Sequence, residues 1–155
     1  MDYDDATRKE FIKTKLLAIV LLVGAPIIYF IIAGLLKSRG SVQGQSGGEV
    51  ELAFYILIVV AVGTPTILPM IIRSMIANYR SGKASRATPV QVMTVLYICK
   101  FAMVEATFVY GLVVFFLSGD LQRMLVFYPI GAIWSVIHWP RKERMKEMLK
   151  RLEGS

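Results

Sequence analysis

The sequence has one cysteine and one histidine among its 155 residues. A single cysteine cannot form an internal disulfide, and a metal cluster of histidine and cysteine needs more ligands than these two residues supply. The sequence also lacks a nucleophile elbow, a phosphate-binding glycine loop, a zinc-binding helix and a pair of acid–base carboxylates. We therefore expect no enzyme activity, no cofactor and no metal site.

Charge is also scarce, because 19% of the residues are charged, against about 25% in an average soluble domain. Hydrophobic residues make up 55% of the chain and gather in long runs. Four runs are long enough to cross about 30 Å of hydrocarbon at about 1.5 Å per helical residue. They cover residues 16–36, 52–72, 92–117 and 121–139. The predicted fold is an all-α bundle of four transmembrane helices, forming one membrane domain over residues 1–155.

Local signals mark where the third and fourth spans begin and end. Pro89 suits the first turn of a helix, where its missing N–H is not needed. Ser118, Gly119 and Asp120 form a turn sequence between two apolar runs. We expect the third and fourth spans to form an antiparallel helical hairpin.

The 18 lysine and arginine residues are distributed unevenly along the chain. Fourteen lie in the N-terminal tail, the second loop and the C-terminal tail, and three lie in the first and third loops. The positive-inside rule then places both termini in the cytoplasm. We expect an integral protein of the inner (plasma) membrane of a prokaryote. Its net charge of +7 serves topology and lipid contact, not nucleic-acid binding.

The C-terminal tail is predicted to form a basic amphipathic helix over residues 141–153, lying on the inner leaflet. Met145, Met148, Leu149 and Leu152 follow the i, i+3, i+4, i+7 spacing of one helix face. Its basic residues are expected to contact anionic lipids of that leaflet. They are Arg141, Lys142, Arg144, Lys146, Lys150 and Arg151.

Two prolines interrupt the second predicted span. Pro65 and Pro69 each leave a backbone carbonyl without its helical hydrogen bond, and Thr64 and Thr66 flank the first proline. One interpretation is a packed kink, in which hydroxyls or a neighbouring helix satisfy the freed carbonyls. The other is a discontinuous helix that lines an ion site, with the two threonines as candidate ligands.

Glu105 is the one acidic residue well inside a predicted span. A charge at that depth costs about 2.5–3.5 kcal/mol on insertion scales, so the side chain faces a partner or a cavity, and apolar surroundings favour the neutral acid. Antiparallel counting puts Glu105 level with residues 64–68, where a protonated carboxyl would donate to a freed carbonyl. Lys100 is a candidate charge partner, although five residues along a helix turn it about 140° away.

The string EATFVYGLVV, residues 105–114, resembles the ion-carrying helix of the proteolipid (c) subunit of rotary ATP synthases and ATPases. In that family a carboxylate is often followed by alanine, then Tyr-Gly-Leu and two β-branched residues. The resemblance covers about residues 95–118 and implies that Glu105 is a proton- or sodium-binding carboxylate. Tyr110, within the same string, completes the set of candidate ion-binding residues.

Two functions are compatible with the sequence. In the first, the protein is a small non-enzymatic membrane protein that binds or translocates a proton or cation through Glu105. In the second, it is a structural, accessory or assembly subunit of a larger membrane complex, and Glu105 is a buried hydrogen-bonding residue between helices. A homo-oligomer or a larger membrane complex is compatible with either function.

Overall fold

The computed structural model describes residues 3–42, 44, 47–81 and 88–153, with side chains from residue 8 onward. Within these ranges all regular structure is helical, with no strand, which confirms the predicted all-α class. The elements are α1 (Tyr3–Ile19), a π-helical turn (Val20–Gly24), α2 (Ala25–Ser38), α3 (Gly48–Arg80), α4 (Pro89–Ser118), α5 (Leu121–Leu125), α6 (Phe127–His138) and α7 (Lys142–Glu153).

Three helical stretches are long and apolar enough to cross a membrane. They are Arg8–Ser38, Gly48–Arg80 and Pro89–Ser118. Their lengths of 31, 33 and 30 residues exceed the roughly 20 residues that a bilayer core requires. Each stretch contains one of the first three predicted spans, and together they are consistent with an integral membrane protein.

The fourth predicted span, residues 121–139, forms two shorter helices instead of one long helix. α5 has 5 residues and α6 has 12, and a turn at Val126 separates them. Pro129 explains the break, because it cannot donate to the Leu125 carbonyl four residues before it. Both helices pack against α4, so the sequence correctly predicted the hairpin that they form with this helix.

The N-terminal helical stretch is continuous, but its hydrogen bonding changes from α-helical to π-helical near its centre. In the π-helical turn the Ala25 N–H donates to the Val20 carbonyl, five residues back. Pro26 follows at the start of α2 and has no N–H to continue the usual ladder. π-helical turns are rare in proteins, and those that do occur are often found at functional sites.

α3 runs through both of its prolines as one helix. The Thr64 hydroxyl donates to the Val60 carbonyl at 2.7 Å, and the Thr66 hydroxyl donates to the Gly63 carbonyl at 2.6 Å. Both threonines therefore bond to the backbone of their own helix. The discontinuous-helix interpretation is wrong, and the structure favours the continuous helix with hydroxyls bonded near its prolines.

α4 is the central helix of the bundle, with ten of its residues buried against its neighbours. It begins with a capping box, in which the Thr88 hydroxyl accepts from the Gln91 N–H and the Gln91 side chain accepts from the Thr88 N–H. It ends at Gly119, whose φ of 64° lies in the left-handed region that favours glycine. Asp120 then caps α5 by accepting from the Gln122 N–H.

α7 packs its apolar side against the bundle instead of presenting it to lipid. Met145, Leu149 and Leu152 are buried in one cluster with side chains of α1 and α4, among them Ala18 and Phe101. The expectation that this stripe lies on the inner leaflet is therefore wrong. The protein itself covers these apolar side chains of the helix at Lys142–Glu153.

Candidate functional site

Glu105 lies on the side of α4 that faces the N-terminal span. The Tyr29 hydroxyl of α2 donates to Glu105 Oε1 at 2.6 Å. This distance lies within the roughly 2.5–2.7 Å range of O–H donors bonded to carboxylates. The bond therefore joins, through polar side chains, two helical stretches that are long and apolar enough to cross a membrane.

A second hydrogen bond lies beside the first. The Tyr128 hydroxyl of α6 donates to the Pro26 carbonyl at 2.7 Å, close to the π-helical turn. Tyr128 also meets the Phe108 ring edge-on, with ring centroids 5.4 Å apart, and Phe108 follows Glu105 by three residues on α4. We call Glu105, Tyr29, Tyr128 and the Pro26 carbonyl the Glu105 cluster, since it brings together polar groups of α2, α4 and α6.

Close packing of α6 on α4 holds this cluster together. A methyl group on Gly131 would stand 2.5 Å from the Phe108 ring, so this position of α6 accepts only a glycine without movement of the ring. Phe108 is itself buried. The Phe108 ring therefore has a fixed place between Tyr128 and the α6 backbone.

No basic side chain among the described residues forms a salt bridge with Glu105. The ion pairs among the described residues involve other acids, such as Glu51 and Glu147. Glu105 is only partly buried, and a carboxylate offers about four acceptor positions. Tyr29 uses one of them, so the carboxyl can still accept a proton or another donor.

The structure does not bring Lys100 to Glu105. The Lys100 ammonium lies over the Tyr97 ring, 4.4 Å from its centroid, and lines a pocket beside α7. The offset of five residues along α4 explains this, because it turns Lys100 about 140° away from Glu105. The prediction of Lys100 as the charge partner is wrong.

Tyr110 and α3 also lie away from Glu105. Tyr110 packs against a cluster that contains Ala61 of α3 and Val114 of α4. Tyr110 and Val114 lie about 140° and about 180° around α4 from Glu105. The expected contact of Glu105 with residues 64–68 is therefore wrong, since counting along antiparallel helices gives depth but not direction around the axis.

The sequence reasoning missed both tyrosines of the Glu105 cluster, Tyr29 and Tyr128, and a signal in the sequence could have found Tyr29. Tyr29 is the one residue in the first predicted span, 16–36, whose side chain carries a polar group. An isolated hydroxyl in such a run needs a hydrogen-bonding partner inside the membrane. Glu105 is the one acidic residue well inside a predicted span and needs a partner as well, so pairing the two would have identified the contact.

The basic residues of the tail are all exposed. Arg144 donates to the Ile137 carbonyl at 2.9 Å, and Arg151 forms an ion pair with Glu147 at 2.6 Å. Lys142 and Lys146 lie on the exposed side of α7. The set predicted from the sequence is therefore accessible, although Arg144 and Arg151 also have contacts within the protein.

Comparison with protein-family models, with curated proteins and with solved structures finds no match to this chain.

Proposed function

We propose that this protein is a non-enzymatic integral membrane protein that binds a proton or a cation at Glu105. The hydrogen bond from Tyr29 carries the proposal, because it holds one carboxyl oxygen and leaves acceptor positions for an ion. Ionisable groups inside membrane spans are costly, and they commonly mark proton or ion pathways. The resemblance of residues 95–118 to a proteolipid ion-carrying helix supports the same role for Glu105.

A proton fits this site better than a metal cation. Glu105 and Tyr29 together supply three oxygen atoms, whereas hard cations such as Ca²⁺ and Mg²⁺ take about six oxygen ligands. A proton needs one carboxyl oxygen, and the Tyr29 hydroxyl can remain hydrogen-bonded to the carboxyl in both protonation states. We therefore place proton binding first and sodium binding second.

Carbodiimide labelling tests this function. Dicyclohexylcarbodiimide reacts with protonated carboxyls in apolar surroundings, so it should label Glu105 in preference to the exposed Glu49 and Glu147. Labelling should fall as the pH rises if Glu105 releases its proton. Protection by sodium at fixed pH would instead favour a sodium ion. Glu105→Gln is the matched control, because it keeps an acceptor oxygen but cannot react.

A structural, accessory or assembly subunit of a larger complex is the second candidate. The hydrogen bond from Tyr29 to Glu105 also favours it, because such bonds stabilise the contact between two membrane helices. In that case Glu105 stays in one protonation state. Glu105 unlabelled at every pH, while the exposed acids react, would contradict proton binding and favour the subunit. Proteins that co-purify in detergent would then identify the complex.

We further propose that α5 and α6 together make a fourth membrane crossing and that both termini are cytoplasmic. Residues 121–138 extend roughly 27 Å at about 1.5 Å per residue, close to the thickness of the bilayer core. The uneven distribution of lysine and arginine supports the orientation, with the exposed basic residues of α7 beside anionic inner-leaflet lipids.

Cysteine labelling tests this topology, in a chain whose native cysteine is replaced by alanine. Ser41→Cys, after α2, should react with an impermeant maleimide in intact cells. Ser81→Cys, after α3, is the matched control on the opposite side and should react only after the cells are permeabilised. The reverse pattern would contradict the proposed orientation.

A further inference from the structure

A pocket lies between α3, α4 and α7, away from the Glu105 cluster. It has a volume of about 210 Å³, and its lining includes Ile72 and Ile76 of α3, Lys100 of α4, and Arg144, Glu147 and Arg151 of α7. A single water molecule needs about 10–15 Å³ of such space. The pocket is therefore large enough for a group of several atoms.

The charged side chains of this pocket are mostly cationic. Glu147 is the one carboxylate among the lining residues, and it pairs with Arg151 at 2.6 Å. Lys100 contacts the Tyr97 ring, and Arg144 donates to a neutral carbonyl. Neither of these two forms a salt bridge with an acid in the part of the chain that the structure describes. The pocket therefore has an excess of two positive charges that an anion would balance.

α7, which forms one side of the pocket, is held in place by contacts with the rest of the protein. Arg80, at the end of α3, donates through Nε to the Arg151 carbonyl at 2.9 Å and also through Nη2. Leu149, on the other side of α7, is buried in the core. The pocket is therefore formed before a ligand arrives, which reduces the ordering cost of binding.

The apolar residues that line the pocket indicate what kind of molecule carries the anionic group. Ile72 lies at the inner end of the second predicted span, and Ile76 follows one turn later on α3. A cationic pocket that joins an apolar helix surface at this depth suits a molecule with a charged head and a hydrocarbon tail. A free phosphate ion would use the same cations but would gain nothing from the two isoleucines.

We propose that this pocket binds the phosphate group of a single anionic phospholipid. The two guanidinium groups offer paired N–H donors to phosphate oxygens, and the Lys100 ammonium adds a point charge. Basic pockets between membrane helices on the cytoplasmic side bind lipid head groups in this way. The site does not depend on proton binding at Glu105, because Lys100 lies on a different side of α4.

Native mass spectrometry of the full-length protein in detergent tests the proposal. Phosphatidylglycerol and phosphatidylcholine with identical acyl chains are the probes. We expect one phosphatidylglycerol to be retained and phosphatidylcholine to be lost. Lys100→Gln should weaken phosphatidylglycerol binding about tenfold or more, as expected for loss of a charge-assisted contact. Lys146→Gln removes the same charge from the exposed side of α7 and should leave binding unchanged.

A variant with increased affinity for phosphatidylglycerol provides a second test, because a misfolded protein would lose affinity and not gain it. Glu147→Gln removes the pocket's carboxylate and should tighten phosphatidylglycerol binding several-fold. Weaker or unchanged binding in this variant would contradict the proposal, as would equal losses in Lys100→Gln and Lys146→Gln. Inorganic phosphate is the third probe, and it should not displace the lipid. If it displaces the lipid and its own binding depends on Lys100, the site belongs to a soluble ion and the lipid assignment is wrong.

Discussion

Replacing Tyr29 with phenylalanine removes one oxygen atom from the contact between α2 and α4 and preserves the ring. The interaction lost is the 2.6 Å hydrogen bond to Glu105 Oε1. Hydrogen bonds between membrane helices average about 0.6 kcal/mol and reach about 1.7 kcal/mol. Because this bond is short and ends on a carboxyl group, we expect a loss of about 1–1.7 kcal/mol in the free energy of unfolding.

A double-mutant cycle separates this bond from other effects of the substitutions. Glu105→Leu removes the acceptor while keeping a side chain of similar size, so its combination with Tyr29→Phe should show a coupling energy of about 1 kcal/mol. Glu105→Gln retains a neutral acceptor. This variant should therefore retain part of the coupling that Glu105→Leu loses.

The assay is reversible unfolding in mixed micelles of increasing sodium dodecyl sulfate content, followed by far-ultraviolet circular dichroism. Tyr55→Phe is the matched control, because the Tyr55 side chain on α3 is 61% exposed. It should leave the free energy of unfolding unchanged. Equal losses in Tyr29→Phe and Tyr55→Phe, or no coupling between Tyr29 and Glu105, would refute the conclusion that this bond stabilises the helix contact.

Two further substitutions test the packing around the site. Gly131→Ala places a Cβ 2.5 Å from the Phe108 ring and should lower the free energy of unfolding by about 1–2 kcal/mol in the same assay, despite the higher helix propensity of alanine. Gly63→Ala, where a Cβ meets open space, should leave stability unchanged or raise it by up to about 1 kcal/mol. Leu149→Ala should cost about 2–5 kcal/mol and make α7 sensitive to protease, whereas Lys146→Ala should do neither.

The positions of the long helices could be predicted from the sequence because they follow the long apolar runs. Residues 16–36, 52–72 and 92–117 each lie within one helical stretch long enough to cross a membrane. The ends of α4 were also predictable, since Pro89 and Gly119 act through local backbone geometry. These features depend on the sequence of one continuous segment and not on which other segments pack against it.

The directions in which side chains point could not be predicted in the same way. Hydropathy gives the depth of Glu105, but its contact with Tyr29 depends on how α2 is rotated and packed around α4. The apolar side of α7 presents a similar difficulty, because its spacing suits lipid and protein equally well. Leu149 is buried because α1 and α4 provide a matching surface, which is a property of the assembled bundle.

Infrared spectroscopy of the protein in lipid bilayers tests the proposed role of Glu105 most directly. A protonated carboxyl in apolar surroundings has a C=O stretching band that is distinct from those of carboxylates and amides. We expect such a band in the wild type, its reversible loss as the pH rises, a shift in Tyr29→Phe and its absence in Glu105→Gln. A wild-type spectrum with no band assignable to Glu105 at any pH, or with a band that does not respond to pH, would contradict reversible proton binding at Glu105.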